Sequence, residues 1–223
     1  MNILLNTVEI RVLGSLIEKE ITTPEYYPMS LNALTNACNQ KSNRDPVMEL
    51  SENEVHAAIE TLRDKRLGWQ FTSAGGRVPK YEHNLRSLFT LSKEEVAVLC
   101  VLLLRGPQTI GELRTRTDRM CSFASLEDVE ETVKGLISRE DGPFVVELPR
   151  QPGRKENRYM HLLGGEVEID QNSSVVNQVT EHPKISISST SDRISSLENE
   201  IASLKTELND LKMQFLDFKK QLE

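Results

Sequence analysis

The chain has few of the features that staple a fold, anchor it to a membrane or run chemistry. Only three of its 223 residues are cysteines, Cys38, Cys100 and Cys121, and their spacing pairs none of them. That excludes a disulfide frame and points to reduced thiols in a cytoplasmic protein. The longest apolar run, Val96 to Leu104, stops at Arg105 after nine residues. It is too short for a membrane span and reads as a buried helix. The opening residues Met1-Asn2-Ile3-Leu4-Leu5-Asn6 lack the basic start and apolar centre of a signal peptide.

Catalytic groupings are missing as well. The four histidines, His56, His83, His161 and His182, have no Cys or carboxylate at ligand spacing, so no metal site is expected. Gly75-Gly76 marks a hairpin turn and not a phosphate cradle, and no cofactor is implied. Cys38 and His56 can meet only through the fold, and a structural thiol is the favoured reading of that pair.

What is present is a duplication. Ile10, Val12, Leu13 and Leu16 reappear as Val96, Val98, Leu99 and Leu102. Ser30-Leu31 and Ala33-Leu34 reappear as Thr109-Ile110 and Glu112-Leu113, and Val55, Ile59 and Leu62 as Val129, Val133 and Leu136. Lys80-Tyr81-Glu82-His83 returns as Arg158-Tyr159-Met160-His161. A period of roughly 80 residues is too long for a solenoid unit and suits two small domains.

Each copy reads helix, helix, helix, hairpin. In the first, a helix from Thr7 to Glu20 is broken by the two prolines around Tyr26-Tyr27. Ser30 caps a helix to Cys38, the Ser51/Glu54 capping box opens a third to about Arg66, and Trp69 and Phe71 alternate in a strand that returns from Val78 to His83. In the second, Ser92/Glu95, Thr109 and Ser125/Asp128 open three helices, the last reaching towards Asp141-Gly142-Pro143. Phe144, Val146 and Leu148 then alternate as a strand, and Arg158 to Leu163 returns. Tyr81 and Tyr159 are expected to anchor each returning strand on its own helices.

The remainder differs in kind. Residues 165–192 are mostly Ser, Thr, Asn, Gln and acid, too polar to offset ordering entropy, and read as a flexible linker. From Arg193, the residues Ile194, Leu197, Ile201, Leu204, Leu208, Leu211, Phe215, Phe218 and Leu222 fill successive a and d positions of a heptad pattern. Arg193 with Glu198, Glu200 with Lys205 and Glu207 with Lys212 place opposite charges across a parallel pair. The expectation is a homodimer through a parallel coiled coil; the alternative is an amphipathic helix docked on its own domains. Of the net charge of −7, residues 1–165 carry −2 (21 basic, 23 acidic) and residues 166–223 carry −5 (6 basic, 11 acidic). The acidity therefore sits mostly in the tail and does not exclude a nucleic-acid surface on the repeats.

One long stretch is distinctive: Leu13-Gly14-Ser15-Leu16-Ile17-Glu18-Lys19, then Thr22-Thr23-Pro24-Glu25-Tyr26-Tyr27-Pro28-Met29-Ser30-Leu31-Asn32-Ala33-Leu34. Asn39-Gln40-Lys41-Ser42-Asn43-Arg44-Asp45-Pro46-Val47 and Arg77-Val78-Pro79-Lys80-Tyr81 continue it. On these residues the chain resembles the bacterial YceH-like family of uncharacterised proteins. The resemblance covers roughly residues 7–164 and implies a fold without implying a biochemical role.

The expected fold is mainly α with small β-hairpins: tandem winged-helix domains over 1–88 and 89–164, a linker over 165–192 and a coiled coil over 193–223. Basic clusters carry the functional expectation. The second hairpin holds Arg150, Arg154, Lys155 and Arg158, the first Arg77 and Lys80, and Arg114, Arg116 and Arg119 lie between helices of the second copy. Such hairpins can track a phosphate backbone or enter a minor groove; the alternative is a solvated basic loop that binds nothing. The usual docking helix is disfavoured, because burying Val129, Val133 and Leu136 turns Glu127, Glu130 and Glu131 outward, offset only by Lys134. In the first copy Glu52, Asn53, His56 and Glu60 take comparable positions. The loop Asn39 to Arg44 is a third candidate surface, with a structural role slightly favoured. Together these predict a non-enzymatic, dimeric, DNA-binding protein with a possible regulatory role in transcription, contacting DNA mainly through its hairpins. The alternative is a protein-interaction adaptor that uses its helical domains as docking surfaces; an enzyme is a weaker third reading. No membrane partner is expected.

Overall fold

Short polar side chains fix where the helices start. The computed structural model describes residues 3–72, 78–150, 153 and 156–165. Within them, Asn6/Glu9, Ser51/Glu54, Ser92/Glu95, Thr109/Glu112 and Ser125/Asp128 each form a reciprocal capping box. Each box satisfies two backbone N–H groups that the helix itself leaves without acceptors. They open α1 (Thr7–Thr22), α3 (Glu52–Asp64), α5 (Lys93–Arg105), α6 (Ile110–Thr117) and α7 (Leu126–Ile137), and Ser30 caps α2 (Leu31–Cys38). A short helix, α4 (Leu85–Phe89), joins the two copies.

The strands are short and antiparallel. β2 (Gly68–Phe71) pairs with β3 (Lys80–His83), and β4 (Val145–Leu148) with β5 (Arg158–His161). A two-residue strand, β1 (Met29–Ser30), adds to the other edge of β3 with Met29 opposite Tyr81. The second copy repeats the contact at the same place: Gln108 and Tyr159 exchange backbone hydrogen bonds of 3.0 and 2.8 Å. The duplication thus extends to a third strand position, which has too few residues to leave an alternating pattern. The molecule over these residues is mainly helical with small antiparallel sheets.

Some expected boundaries move. α7 ends at Ile137, short of Gly142, because Ser138 caps its last carbonyls and Arg139 is drawn to Phe89 O (2.6 Å) and Asp141. The break after α1 contains a single turn of 3-10 helix at Pro24–Tyr26. The expected linker over 165–192, apart from Gly165, and the heptad residues from Ile194 to Leu222 lie outside the described residues.

The copies share one core. Leu13, Leu16, Leu34, Val55, Ile59 and Leu62 of the first and Val98, Leu99, Leu102, Leu113, Val129 and Leu136 of the second belong to a continuous buried cluster. α1 and α5 meet at Gly14, where a Cβ would fall 2.9 Å from Leu104 Cδ2 and 3.1 Å from Leu103 Cβ. Only glycine lets the helices approach this closely. Further ties cross the same boundary: the Asp45 N–H donates to Leu104 O (2.9 Å), and the Leu5 N–H to Leu163 O (2.7 Å). The result is a charged seam inside an apolar interface. Glu18 is buried and accepts from Arg44 Nη2 at 2.7 Å and from Arg119 of the second copy at 3.0 Å.

Candidate nucleic-acid interface

The basic residues differ in exposure. Arg150 leaves the end of β4 exposed, and Lys80 is exposed on β3 opposite Phe71. Arg114 is exposed while donating to Ala124 O at 3.1 Å. Arg158 turns back from β5: it donates to Pro107 O at 2.6 Å and lies 3.4 Å from Glu112 Oε1. Arg116 approaches the same carboxylate at 3.5 Å. Glu112, already the reciprocal cap of α6, therefore brings Arg116 and Arg158 together although 42 positions separate them in sequence. Arg119 reaches across to Glu18 with most of its side chain still in solvent. Arg77, Arg154 and Lys155 lie outside the described residues.

Arg105 completes this basic corner. Sequence reasoning treats it only as the end of the apolar helix; the fold sets it beside the base of the second hairpin. Partial burial lowers its pKa, and the positive charges of Arg116 and Arg119 add to that. Arg105, Arg116 and Arg158 line a cavity of about 360 Å³ together with Asp45, Gln108, Glu112 and Glu156.

The first hairpin carries a different surface. Trp69 and Phe71 point to the same face of β2 and are 51% and 50% exposed, with Val78 also exposed. Their directly opposite partners on β3 are Glu82 and Lys80. The period-two spacing of Trp69 and Phe71 shows that they share a face; it does not show that the face is open, because β2 forms the edge of its sheet.

The helix faces follow the sequence pattern. Glu127, Glu130 and Glu131 of α7 are exposed, and Lys134 sits 3.5 Å from Glu130. On α3, Glu52, Asn53 and His56 are exposed, and Glu60 pairs with Arg63. The loop from Asn39 to Arg44 is structural in its main contacts. Asn39 exchanges hydrogen bonds with the Leu50 backbone at 2.7 and 2.8 Å. Arg44 is buried and donates to Ala37 O, Gln40 and Glu18. Arg105 donates to the side chain of Asn43, whose φ is +59°. Tyr27 and His83 extend this structural use of polar groups: the His83 N–H donates to the Tyr27 hydroxyl at 2.7 Å, and the His83 ring meets Glu20 at 3.0 Å.

A family model described as a protein of unknown function, DUF480, matches residues 5–154. The chain belongs to the DUF480 family. A UPF0502 protein of Geotalea daltonii is 53% identical over 194 residues, covering 87% of each chain. One from Koribacter versatilis is 60% identical over 163 residues, 73% of this chain and 75% of that one. A third, from Aeromonas salmonicida, is 51% identical over 173 residues, 76% and 79% of the two chains. DUF480 and UPF0502 are uncharacterised, so chemistry here has to be argued from side chains. Cys38 does not meet His56: the thiol is fully buried, and burial pushes its pKa up, whereas His56 lies on the exposed face of α3. Among the described residues no cluster of His, Cys, Asp or Glu has the geometry to hold a metal, and no helix is long and apolar enough to cross a membrane.

Proposed function

We infer that this DUF480 member is a YceH-like tandem winged-helix protein of the cytoplasm, non-enzymatic and homodimeric, that binds DNA and acts in transcriptional regulation. The observation that carries the reading is the repeated order of helix, edge-strand contact, two helices and hairpin, with basic side chains at the second hairpin. Contact through the hairpins is favoured over a recognition helix because α7 directs three carboxylates outward, which phosphates would repel. Arg150 is exposed, and Arg154 and Lys155 continue the same basic run in the sequence, so these three are the side chains to test. Converting these three to alanine is expected to weaken duplex affinity in fluorescence anisotropy. It should also flatten the plot of log affinity against log salt by roughly 3, about one for each phosphate that is no longer neutralised. An unchanged slope removes the second hairpin from the interface.

Dimerisation rests on the heptads from Ile194 to Leu222. Deleting residues 193–223 is expected to halve the mass seen by light scattering; a dimer that persists would place the contact on the helical domains instead. If the full chain has no affinity for DNA, the acidic face of α7, with Leu126 exposed at its start, favours the second reading, a docking protein for basic partners.

A further inference from the structure

The cavity at the base of the second hairpin has the makings of a small-molecule site. It lies where the end of α5, the start of α6, both strands of the hairpin and the Asp45 loop of the first copy converge. At about 360 Å³ it falls within the range of small-molecule sites and is too small for a polymer. Gln108 lines it and is 2% exposed. Its Nε2 donates to Arg105 O (3.1 Å) and Pro107 O (2.8 Å), which fixes the amide orientation, since a flipped amide would set oxygen against two carbonyls. Its Oε1 is buried with no hydrogen-bond partner among the described residues. Shielded from solvent, that oxygen is out of reach of a ligand, which meets the charged side chains of the lining instead.

The charges around it are specific. Arg105 and Arg116 present planar guanidinium donors suited to a carboxylate or phosphate. Glu112 is occupied by its own helix cap, Arg116 and Arg158. Asp45 and Glu156 are exposed at the cavity and oppose a second negative charge, while accepting from a donor.

We propose that this cavity binds a small zwitterionic metabolite, its oxyanion held by Arg105 and Arg116 and its cationic donor accepted by Asp45 and Glu156. An amino acid is the simplest molecule with that chemistry. Arg158 and Glu156 belong to the hairpin and Asp45 to the first copy, so occupancy ties the hairpin to the opposite half of the fold. The site does not depend on the DNA-binding reading and is tested without DNA.

The experiment is thermal unfolding and calorimetry of the full chain with three probes: a pool of the proteinogenic amino acids, AMP and inorganic phosphate. A ligand that binds only the folded state raises the melting temperature in proportion to the logarithm of its excess. The amino-acid pool is expected to raise it, AMP and phosphate much less. Arg116→Gln should lose about tenfold or more in affinity for the active probe, a charge-assisted contact being removed. Arg116 is partly exposed with a single loose ion pair, so this variant keeps its fold; Lys134→Gln on α7 should bind as the parent does. The proposal is overturned if no probe binds. It is equally overturned if AMP matches the amino-acid pool, if phosphate does so, which marks an adventitious ion only, or if Arg116→Gln binds normally.

Discussion

Replacing Arg44 by methionine is expected to lower the unfolding free energy by about 3–4 kcal/mol, the size seen when one member of a buried ion pair is removed. The Arg44 side chain is wholly buried and that of Glu18 is 4% exposed, 2.7 Å away. Burial alone would raise the Glu18 pKa, yet the bond and charge of Arg44, with Lys19 and Arg119, outweigh it and hold the carboxyl below its usual range. Without Arg44 the carboxylate keeps Arg119 at 3.0 Å, which limits the loss, while Ala37 O loses both guanidinium bonds. The double variant Glu18→Leu/Arg44→Met separates these effects. It should recover about half of the loss, because the buried charge is gone and the orphaned carbonyl remains. Urea unfolding measures both, and a loss below about 1 kcal/mol for Arg44→Met would contradict the buried role given to the Asn39–Arg44 loop.

Acidification from pH 7 to 5 is expected to remove about 2 kcal/mol through His161 alone. This ring is 2% exposed, its Nδ1 has no partner among the described residues, and desolvation lowers its pKa from 6.5 to about 4. The folded state therefore keeps His161 neutral where the unfolded chain takes up a proton. Between about pH 6.5 and 4 the unfolded state binds more protons, so stability falls as pH falls, and the contribution levels off below pH 4. Glu9, Glu18 and Glu20 are held below their ordinary value of 4.5, so their stabilisation is lost only as pH drops through and below that value. The interval above pH 5 thus isolates the histidine. His161→Leu, which needs no proton, should flatten the stability curve there; a variant with the parent's slope would assign the acid sensitivity elsewhere.

Both predictions concern residues that the sequence disclosed unevenly. The duplicated apolar positions, the capping pairs and the Tyr-x-His ends of the hairpins were legible because each follows a local period or a fixed offset. Arg11, Glu18 and Arg44 were not. On a helix with one apolar stripe Arg11 and Glu18 read as solvent-facing, but α1 is covered by α2 and α3 on one side and α5 on another, and so buries them both. Arg11 finds its partners in Cys38 O (3.1 Å) and Pro46 O (2.5 Å). The same holds for the basic corner. Arg114, Arg116 and Arg119 stand out as a run, whereas the meeting of Arg116 with Arg105 and Arg158 depends on how the second hairpin packs against α6, a long-range contact that no spacing announces. That Gln108 Oε1 has no partner among the described residues is likewise a property of the fold alone.

The proposed binding of nucleic acid through charge on the hairpins is decided by the affinity of the full-length protein for a fluorescent duplex, measured across a series of salt concentrations. Three phosphate contacts from the second hairpin predict a straight line of log affinity against log salt, falling with a slope of about 3 or steeper. An affinity that is undetectable at low salt, or one that does not change with salt, would contradict the claim.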